Sequence, residues 1–365
     1  MNNPLQFRGN KNQLLMNYIL IYSSVIILLA LFCQMVFSVV IAVLAIVIVL
    51  QPLISLFAKI INYRKIEKYN RTSILIANGL ATFIFFASIL VLLIFLIPSL
   101  VKEAGAFVTF FDNFFTNKEW QKITFLSENP DISANISSIL SNIQPKIVAV
   151  LESVITDLSK STPQVLSFIF YLFLGTLYLV YYFPMLKNKV NMIFPSVIRS
   201  ESVSFMRELY HQLKRYLFSI FLVALIVGLM MGAILSFLGS SYSVLLGFWA
   251  AFTNLIPIVG VILEFIPLLL LSTSLGVSGS LVLLIAILII HTVAFILFLN
   301  LMRGYIRINP VAIIFLILFF SQVFGFTGSL IAVPVGLFIR IFYEWFIKPF
   351  FEKKYSANVQ NNSQE

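Results

Sequence analysis

Charged residues, cysteine and histidine are all scarce in this chain. Only 10% of its 365 residues are Asp, Glu, Lys or Arg, whereas a soluble domain is about one-quarter charged. The one cysteine, Cys33, cannot close an intramolecular disulfide, and the two histidines, His211 and His291, lack the spacing of a metal site. These shortages exclude a water-soluble fold and argue against metal and thiol enzymes, and we expect no cofactor.

The chain also lacks the usual motifs of motors and enzymes. No phosphate-binding loop of the form G-x-x-x-x-G-K-[ST] occurs, so the sequence has no recognisable ATP-driven motor. No nucleophile and base, and no two carboxylates, lie at a usable spacing in the apolar segments, so we expect no enzymatic activity. The basic residues, which give a net charge of +10, gather in short stretches and not on one face. That distribution indicates membrane topology and not nucleic-acid binding.

Apolar sequence is abundant, at 60% of all residues, and it comes in long blocks. No charge occurs between Lys11 and Lys59, a stretch too long for one helix, because about 20 residues cross the hydrocarbon core. It predicts two spans, 14–33 and 35–57, with a turn near Gln34. The protein is therefore expected to be an all-α polytopic membrane protein. The other predicted full spans are 72–98, 164–183, 216–238 and 279–302.

The charges between the spans predict their orientation. Residues 59–71 and 184–215 are rich in Lys and Arg, as short cytosolic loops are. Residues 99–163 carry more acidic than basic side chains and are predicted to lie outside. Both termini are then cytosolic, in a multi-pass protein of the plasma membrane.

The outer segment contains the pattern of an amphipathic helix at 133–160. Apolar residues recur at intervals of three and four, which places them on one face of a helix. This face has three alternative partners: the lipid surface, another subunit, or the chain's own membrane part. The residues of the stripe are Ile136, Leu140, Ile143, Ile147, Leu151, Val154 and Leu158.

The segment 242–275 is too long for one span and is interrupted near its centre. As a continuous helix its 34 residues would reach about 51 Å, well beyond the ~30 Å hydrocarbon core. Pro257 removes a backbone donor and Gly260 permits a sharp reversal. The segment therefore predicts a re-entrant helical hairpin, which enters the membrane and returns to the same side.

The segment 311–344 repeats this design, with Gly325 and Gly328 at its centre. One full span separates the two segments, so the two hairpins are predicted to open to opposite sides. Charge favours this arrangement, because Arg303 and Arg307 then lie in the cytosol. The alternative, eight full spans with kinked helices, places both arginines outside. The expected fold has six full transmembrane helices and two opposed re-entrant hairpins.

These features divide the chain into five parts. Paired interrupted segments of opposite orientation are typical of the binding sites of secondary transporters, because broken helices present free backbone groups near the midplane. The candidate site therefore falls in the C-terminal membrane core. The parts are an N-terminal tail with three spans (1–98), the outer amphipathic segment (99–163), the fourth span with a basic cytosolic helix (164–215), the C-terminal core (216–347) and a cytosolic tail (348–365).

Polar residues near the two interruptions are the candidate binding groups. Glu264 is the one acid between Glu208 and Glu344, and a carboxyl within the bilayer is costly and as a rule functional. We expect Glu264 to bind a proton or cation, with His291 as a candidate partner in a proton relay. The structural alternatives are a permanently protonated Glu264 and a His291 that only bonds to a neighbouring helix. The candidate solute- or ion-binding residues are Thr253, Asn254, Pro257, Gly260, Glu264, Gln322, Gly325, Thr327 and Gly328.

Several motifs occur in the order found in one family. The most specific are Asn254-Leu-Ile-Pro-Ile-Val-Gly260 with the following Pro267, then Phe324-Gly-Phe-Thr-Gly328 and Ala332-Val-Pro334. Over residues 14–350 the chain resembles the autoinducer-2 exporter family, also known as PerM-like permeases. Further matching motifs are Leu50-Gln-Pro-Leu53, Tyr182-Phe-Pro-Met-Leu-Lys187, Leu238-Gly239 and Ile308-Asn-Pro310.

The resemblance implies a bacterial inner-membrane protein with several spans, an extracytoplasmic helical insertion and an oligomeric assembly. Members of the family are assigned export of the signal autoinducer-2 or sodium/proton antiport. The chain departs from one family feature, a glutamate in the seventh membrane segment ahead of a proline-glycine stretch, because residues 294–303 contain no acid and no proline. A coupling role for an acid would then fall to Glu264.

Three functions remain open from the sequence. The leading hypothesis is a gradient-driven secondary transporter that exports a small polar solute by alternating access, and the resemblance implies autoinducer-2 or a related metabolite as that solute. The second hypothesis is antiport of a monovalent cation, such as sodium, and protons. The third is a non-transporting oligomeric scaffold organised through the helix at 133–160. The expected partners are the solute or ion, the lipid bilayer and further copies of the chain.

Overall fold

The computed structural model describes residues 4–62, 71–117, 162–302, 309–349 and 351. Between 118 and 161 it describes only 137, 138, 141, 142, 144–146, 148, 149, 152, 153 and 156. Most of these residues are helical, and none of them is in a strand. Seven helices in the described ranges are long and apolar enough to cross a bilayer, which confirms the predicted all-α polytopic membrane protein.

Nine α-helices of more than ten residues follow one another in the described chain. They are α1 (Pro4–Phe32), α2 (Gln34–Asn62), α3 (Arg71–Thr116), α4 (Thr162–Lys189), α5 (Arg199–Phe237), α6 (Ser243–Thr253), α7 (Val259–Ser272), α8 (Gly276–Leu301) and α9 (Pro310–Phe342). Two short 3₁₀ turns connect α4 to α5, and a π turn, Tyr343–Ile347, continues α9.

The boundaries of the first three helices differ in detail from the predicted spans. Between α1 and α2 only Cys33 is non-helical, one residue before the predicted turn at Gln34. α3 does not end with the predicted span at Pro98 but continues to Thr116, over 46 residues or about 69 Å. Because this length exceeds the ~30 Å hydrocarbon core, α3 extends into the segment 99–163.

By its internal packing the chain forms two units. The first consists of Met1–Phe83, Leu172–Phe221 and Phe298–Glu365, and the second of Ile84–Tyr171 and Leu222–Leu297. The boundaries fall inside α3, α4, α5 and α8, so the chain passes from one unit to the other within continuous helices.

The first unit has an apolar core to which α1, the 3₁₀ turns, α5 and α9 contribute. Tyr22 of α1 donates its hydroxyl to the carbonyl oxygen of Ile193 at 2.6 Å. A second cluster, which includes Tyr216 and Leu337, joins α5 to the second half of α9. The buried residues of the main core are Leu15, Ile19, Phe194, Ile198, Phe205, Ile341 and Phe346.

The first interrupted segment is a helical hairpin of α6, the turn 254–258 and α7, and it lies in the second unit. The residue with the left-handed backbone is Ile258, at φ 67°, and not Gly260, which the sequence predicts as the reversal. Gly260 lies within α7, where a Cβ atom would be only 2.5 Å from the carbonyl carbon of Thr253. Glycine at this position lets the two limbs of the hairpin touch through their backbones.

The second interrupted segment, in the first unit, bends at Gly325, where φ is 57° and ψ is −141°. A Cβ atom on Gly328 would lie 2.5 Å from the carbonyl carbon of Phe320. Residues eight apart in an unbroken helix are separated by about 12 Å, so the chain reverses sharply between the limbs 310–324 and 326–342. Both segments therefore combine a left-handed residue with a glycine in backbone contact, and the predicted interruptions are confirmed.

The segment between α3 and α4 is described in part. The seven apolar residues of the predicted stripe at 133–160 lie outside the described residues, and so do Arg303 and Arg307. The described Gln144 is helical and donates its side-chain amide to Asp112 Oδ1 at 2.9 Å and to Thr116 Oγ1 at 3.1 Å. These contacts join the segment 99–163 to the end of α3.

Candidate functional site

Three polar side chains converge within the second unit, in the first hairpin and the helix that follows it. Asn254 lies at the end of α6, Glu264 on α7 and His291 on α8. Glu264 is fully buried, with 0% of its surface exposed. The Asn254 side-chain amide donates to Glu264 Oε2 at 2.5 Å, and His291 Nε2 lies 3.4 Å from the same oxygen. The structure thus brings together Glu264 and His291, which no sequence spacing connects.

Local structure explains why Asn254 and Glu264 meet. The Asn254 side-chain amide also donates to the carbonyl oxygen of Ala250 at 2.8 Å, which accepts the Asn254 backbone N–H as well, at 3.1 Å. This bond fixes the amide at the end of α6. The close approach at Gly260 brings α7 alongside, and Glu264 follows one helical turn later on the same face.

Two buried atoms of this cluster have no hydrogen-bond partner among the described residues, Glu264 Oε1 and His291 Nε2. The contact of 3.4 Å between His291 and Glu264 is close enough for an ion pair but lacks the geometry of a hydrogen bond. Unsatisfied buried polar atoms are rare in native proteins and call for a role. A carboxyl and an imidazole both exchange protons, so the cluster can take up and release one.

Two glycines of α5 hold the first hairpin at close range. A Cβ atom on Gly228 would lie 2.7 Å from the carbonyl oxygen of Gly247, and one on Gly247 would lie 2.8 Å from Cα of Gly232. Residues four apart share a helix face, and small residues at that spacing allow membrane helices to pack closely. The spacing of Gly228 and Gly232 is the sequence signal from which this close contact could have been predicted.

α3 fixes the start of the same hairpin. Glu103 Oε2 accepts a hydrogen bond from the Leu245 backbone amide at 2.8 Å, in the first turn of α6, where the N-cap residue Tyr242 makes no side-chain cap. A carboxylate at this end stabilises a helix through its free amides and its dipole. The rings of Phe107 and Phe110 lie 5.4 and 5.8 Å from that of Tyr242. Sequence reasoning counted Glu103 only as an outer acid.

The other predicted residues of the first hairpin serve its own structure. The Thr253 hydroxyl donates to the carbonyl oxygen of Trp249 at 2.9 Å, within α6. Such bonds to the own helix are common for threonine. Pro257 lies in the turn, next to Ile258. Neither side chain bonds to the Glu264 carboxyl.

The predicted residues of the second segment are described within the first unit. The hydroxyl of Ser38 donates to Thr327 Oγ1 at 3.4 Å, which joins the second limb of α9 to α2. Gln322 is exposed. Gly325 makes the bend and Gly328 the close contact, as described above. Among the described residues, no three His, Cys, Asp or Glu side chains lie close enough to hold a metal ion.

Comparison with known proteins gives a consistent result. The family model described as "AI-2E family transporter" matches residues 19–348. A Thermotoga maritima protein named "Putative transport protein" is 33% identical over 317 residues, which cover 87% of this chain and 90% of that protein. A second T. maritima protein of the same name is 27% identical over 60% of this chain and 68% of its own length. Bacillus subtilis YrrI, named in the same way, is 26% identical over 47% of this chain and 49% of its own length.

The match to the family covers the second half of α1 and all of the other eight helices. Together with the apolar helices and the two interrupted segments, it assigns the chain to a class of membrane transport proteins. The protein is a multi-pass membrane protein and belongs to the AI-2E transporter family.

Proposed function

We propose that this protein is a gradient-driven secondary transporter that exports a small polar solute, and that Glu264 carries the coupling proton. The observation that supports this most directly is the buried carboxyl of Glu264 beside a broken helix. One of its oxygens is held by Asn254, and the other has no hydrogen-bond partner in the part of the chain that the structure describes. A carboxyl within the membrane is costly and as a rule functional, as in the proton relays of pumps and transporters.

The dimensions of the first hairpin support access to this carboxyl. α6 has 11 residues and α7 has 14, or about 17 and 21 Å, both less than the ~30 Å hydrocarbon core. A hairpin of this length brings its turn, and therefore Asn254 and Glu264, towards the middle of the bilayer from one side. We further propose that the second segment acts from the opposite side, as the charge pattern of the sequence predicts.

The proposed solute follows from the polar groups near the turn and from the family. The turn 254–258 has non-helical backbone and carries the amide of Asn254. Uncharged donors and acceptors of this kind suit a small polar molecule. The chain belongs to the AI-2E transporter family, and the resemblance to autoinducer-2 exporters makes autoinducer-2 or a related metabolite the solute that we propose to test first.

The contact between His291 and Glu264 favours antiport of a monovalent cation and protons as the second candidate. In this function the cation displaces the proton of Glu264, and His291, 3.4 Å away, receives it. The two candidates differ in what crosses the membrane and agree on the residue that is coupled to the gradient.

Purified protein in liposomes tests both candidates. We would measure efflux of autoinducer-2 and of sodium under an imposed pH gradient, with Glu264→Gln as the variant and Glu152→Gln, an exposed acid, as the control. Under the leading proposal, Glu264→Gln lowers gradient-driven solute efflux by about a hundredfold or more, as the loss of a proton-transfer group does. If Glu264→Gln abolishes sodium efflux and spares solute efflux, antiport is the function. No flux of any solute or cation from intact wild-type oligomers overturns both and favours the scaffold.

A further inference from the structure

Pro267 deprives one carbonyl group of α7 of its helical hydrogen bond. In an α-helix the backbone N–H of residue 267 would donate to the carbonyl oxygen of residue 263, but proline has no N–H. The indole Nε1 of Trp249, on the opposite limb of the hairpin, donates to this Leu263 oxygen at 3.0 Å. The proline thus creates an acceptor, and the tryptophan occupies it.

The bond is adjacent in sequence to the coupling carboxyl. Leu263 immediately precedes Glu264, so Trp249 holds α7 at the residue next to the one that Asn254 holds. Trp249 is 37% exposed whereas Glu264 is fully buried. The two bonds therefore join the limbs at neighbouring residues of α7, one at an exposed position and one in the buried interior, and together they restrain the position of α7 relative to α6.

The surroundings make this bond hard to replace. A carbonyl group without a donor is costly in lipid, where water cannot serve it. α7 has no N–H at residue 267 to offer, and the Trp249 indole is the donor that the structure provides. The ring of Trp249 also packs beside that of Phe252 on the same helix, with 6.5 Å between the ring centroids.

We propose that Trp249 is a positioning residue of the coupling site. Its bond to Leu263 holds the limbs of the first hairpin in the register that keeps Asn254 on Glu264. The consequence for coupling rests on the proposed function, whereas the register itself does not. Trp249 acts through the position of α7 and does not touch the Glu264 carboxyl.

The test is hydrogen exchange of the full-length protein, followed at the backbone amides of 254–263. Trp249→Phe removes the donor and keeps an aromatic ring, and we expect exchange in this stretch to rise about tenfold, as the loss of one buried hydrogen bond implies. Adding Pro267→Ala gives α7 its own donor for Leu263, so the double variant returns towards the wild-type rate. Trp345→Phe, a tryptophan of the first unit, is the matched control and leaves these amides unchanged.

A second measurement tests whether Trp249 affects transport through the position of the Glu264 carboxyl. In liposomes, Trp249→Phe should shift the pH at which gradient-driven flux is half-maximal, and the double variant with Pro267→Ala should shift it back. In a Glu264→Gln background, where gradient-driven flux is already low, Trp249→Phe should not lower that flux further. A defect that only lowers the amount of folded protein changes the flux at all pH values equally.

Two results would overturn the inference. One is unchanged exchange at 254–263 in Trp249→Phe. The other is equally raised exchange in the single variant and in the double variant with Pro267→Ala, because the carbonyl of Leu263 would then not be the group that matters. If exchange follows the expectation while wild-type protein transports nothing, the positioning role is supported and the proposed function fails, so the two are separable.

Discussion

Replacement of Gly260 by alanine is expected to force the limbs of the first hairpin apart. A Cβ atom at this position lies 2.5 Å from the carbonyl carbon of Thr253 and 3.1 Å from Cα of Asn254. Both neighbours are backbone atoms, so neither rotates away as a side chain would. Carbon atoms pack at about 3.5–4.0 Å, and α6 and α7 must therefore separate by about 1 Å near the Asn254–Glu264 bond.

The expected loss of stability is about 2–3 kcal/mol, because overfilling a packed interior costs about 1–3 kcal/mol and a backbone contact lies at the upper end. For a large chain this corresponds to about 4–6 °C in melting temperature, at about 2 °C per kcal/mol. Gly105 offers a matched control, since it lies inside α3 and a Cβ atom on it meets nothing within 4 Å. Alanine there should stabilise the protein by about 0.5–1 kcal/mol through a less flexible unfolded chain.

The assay is thermal unfolding of each variant in the same detergent. Gly260→Ala should melt well below wild type and Gly105→Ala at or slightly above it. Gly328→Ala repeats the test in the second segment, where the added Cβ atom would lie 2.5 Å from the carbonyl carbon of Phe320. Equal melting temperatures for Gly260→Ala and Gly105→Ala would refute the argument that the limbs touch through their backbones.

Two further predictions concern the ends of the first hairpin. In a Cys33→Ser background, Ser278→Cys and Ser241→Cys should react with a membrane-impermeant thiol reagent from the same side of the membrane, because a re-entrant hairpin begins and ends on one side. Labelling from opposite sides would mean that the segment crosses the membrane. Glu103→Ala should destabilise the protein by about 1 kcal/mol through loss of the cap on α6 and should speed hydrogen exchange in the first turn of that helix. Glu103→Gln keeps a hydrogen-bond acceptor and should lose less stability than Glu103→Ala. An equal loss of stability in both variants would contradict the capping role.

Composition and helix breakers predicted most of the fold. Long apolar blocks need about 20 residues per span, so the spans and the interruptions at Pro257 and Gly325 follow from local sequence. The sequence predicted the ends of the helices less accurately. Pro98 was expected to close the third span, but proline is tolerated in membrane helices, and α3 continues to Thr116.

The details of the site depended on contacts that local sequence does not contain. Ile258 has a left-handed backbone, which is unusual for a β-branched residue. Backbone propensity therefore predicted the reversal at Gly260 and not at Ile258. The contact between Glu264 and His291 arises from the packing of α7 with α8. Pro267 does predict an unpaired carbonyl at residue 263, but its donor is 14 residues away on the other limb.

α3 joins the first hairpin to the part of the chain around Gln144. Gln144 binds Asp112 near the end of α3, and Glu103, nine residues earlier, caps α6. Within this unit only about 14 Å of continuous helix separates the two contacts. A nanobody that binds at Gln144 would therefore act on the first hairpin through α3, and under the proposed function it would inhibit transport without contacting Glu264.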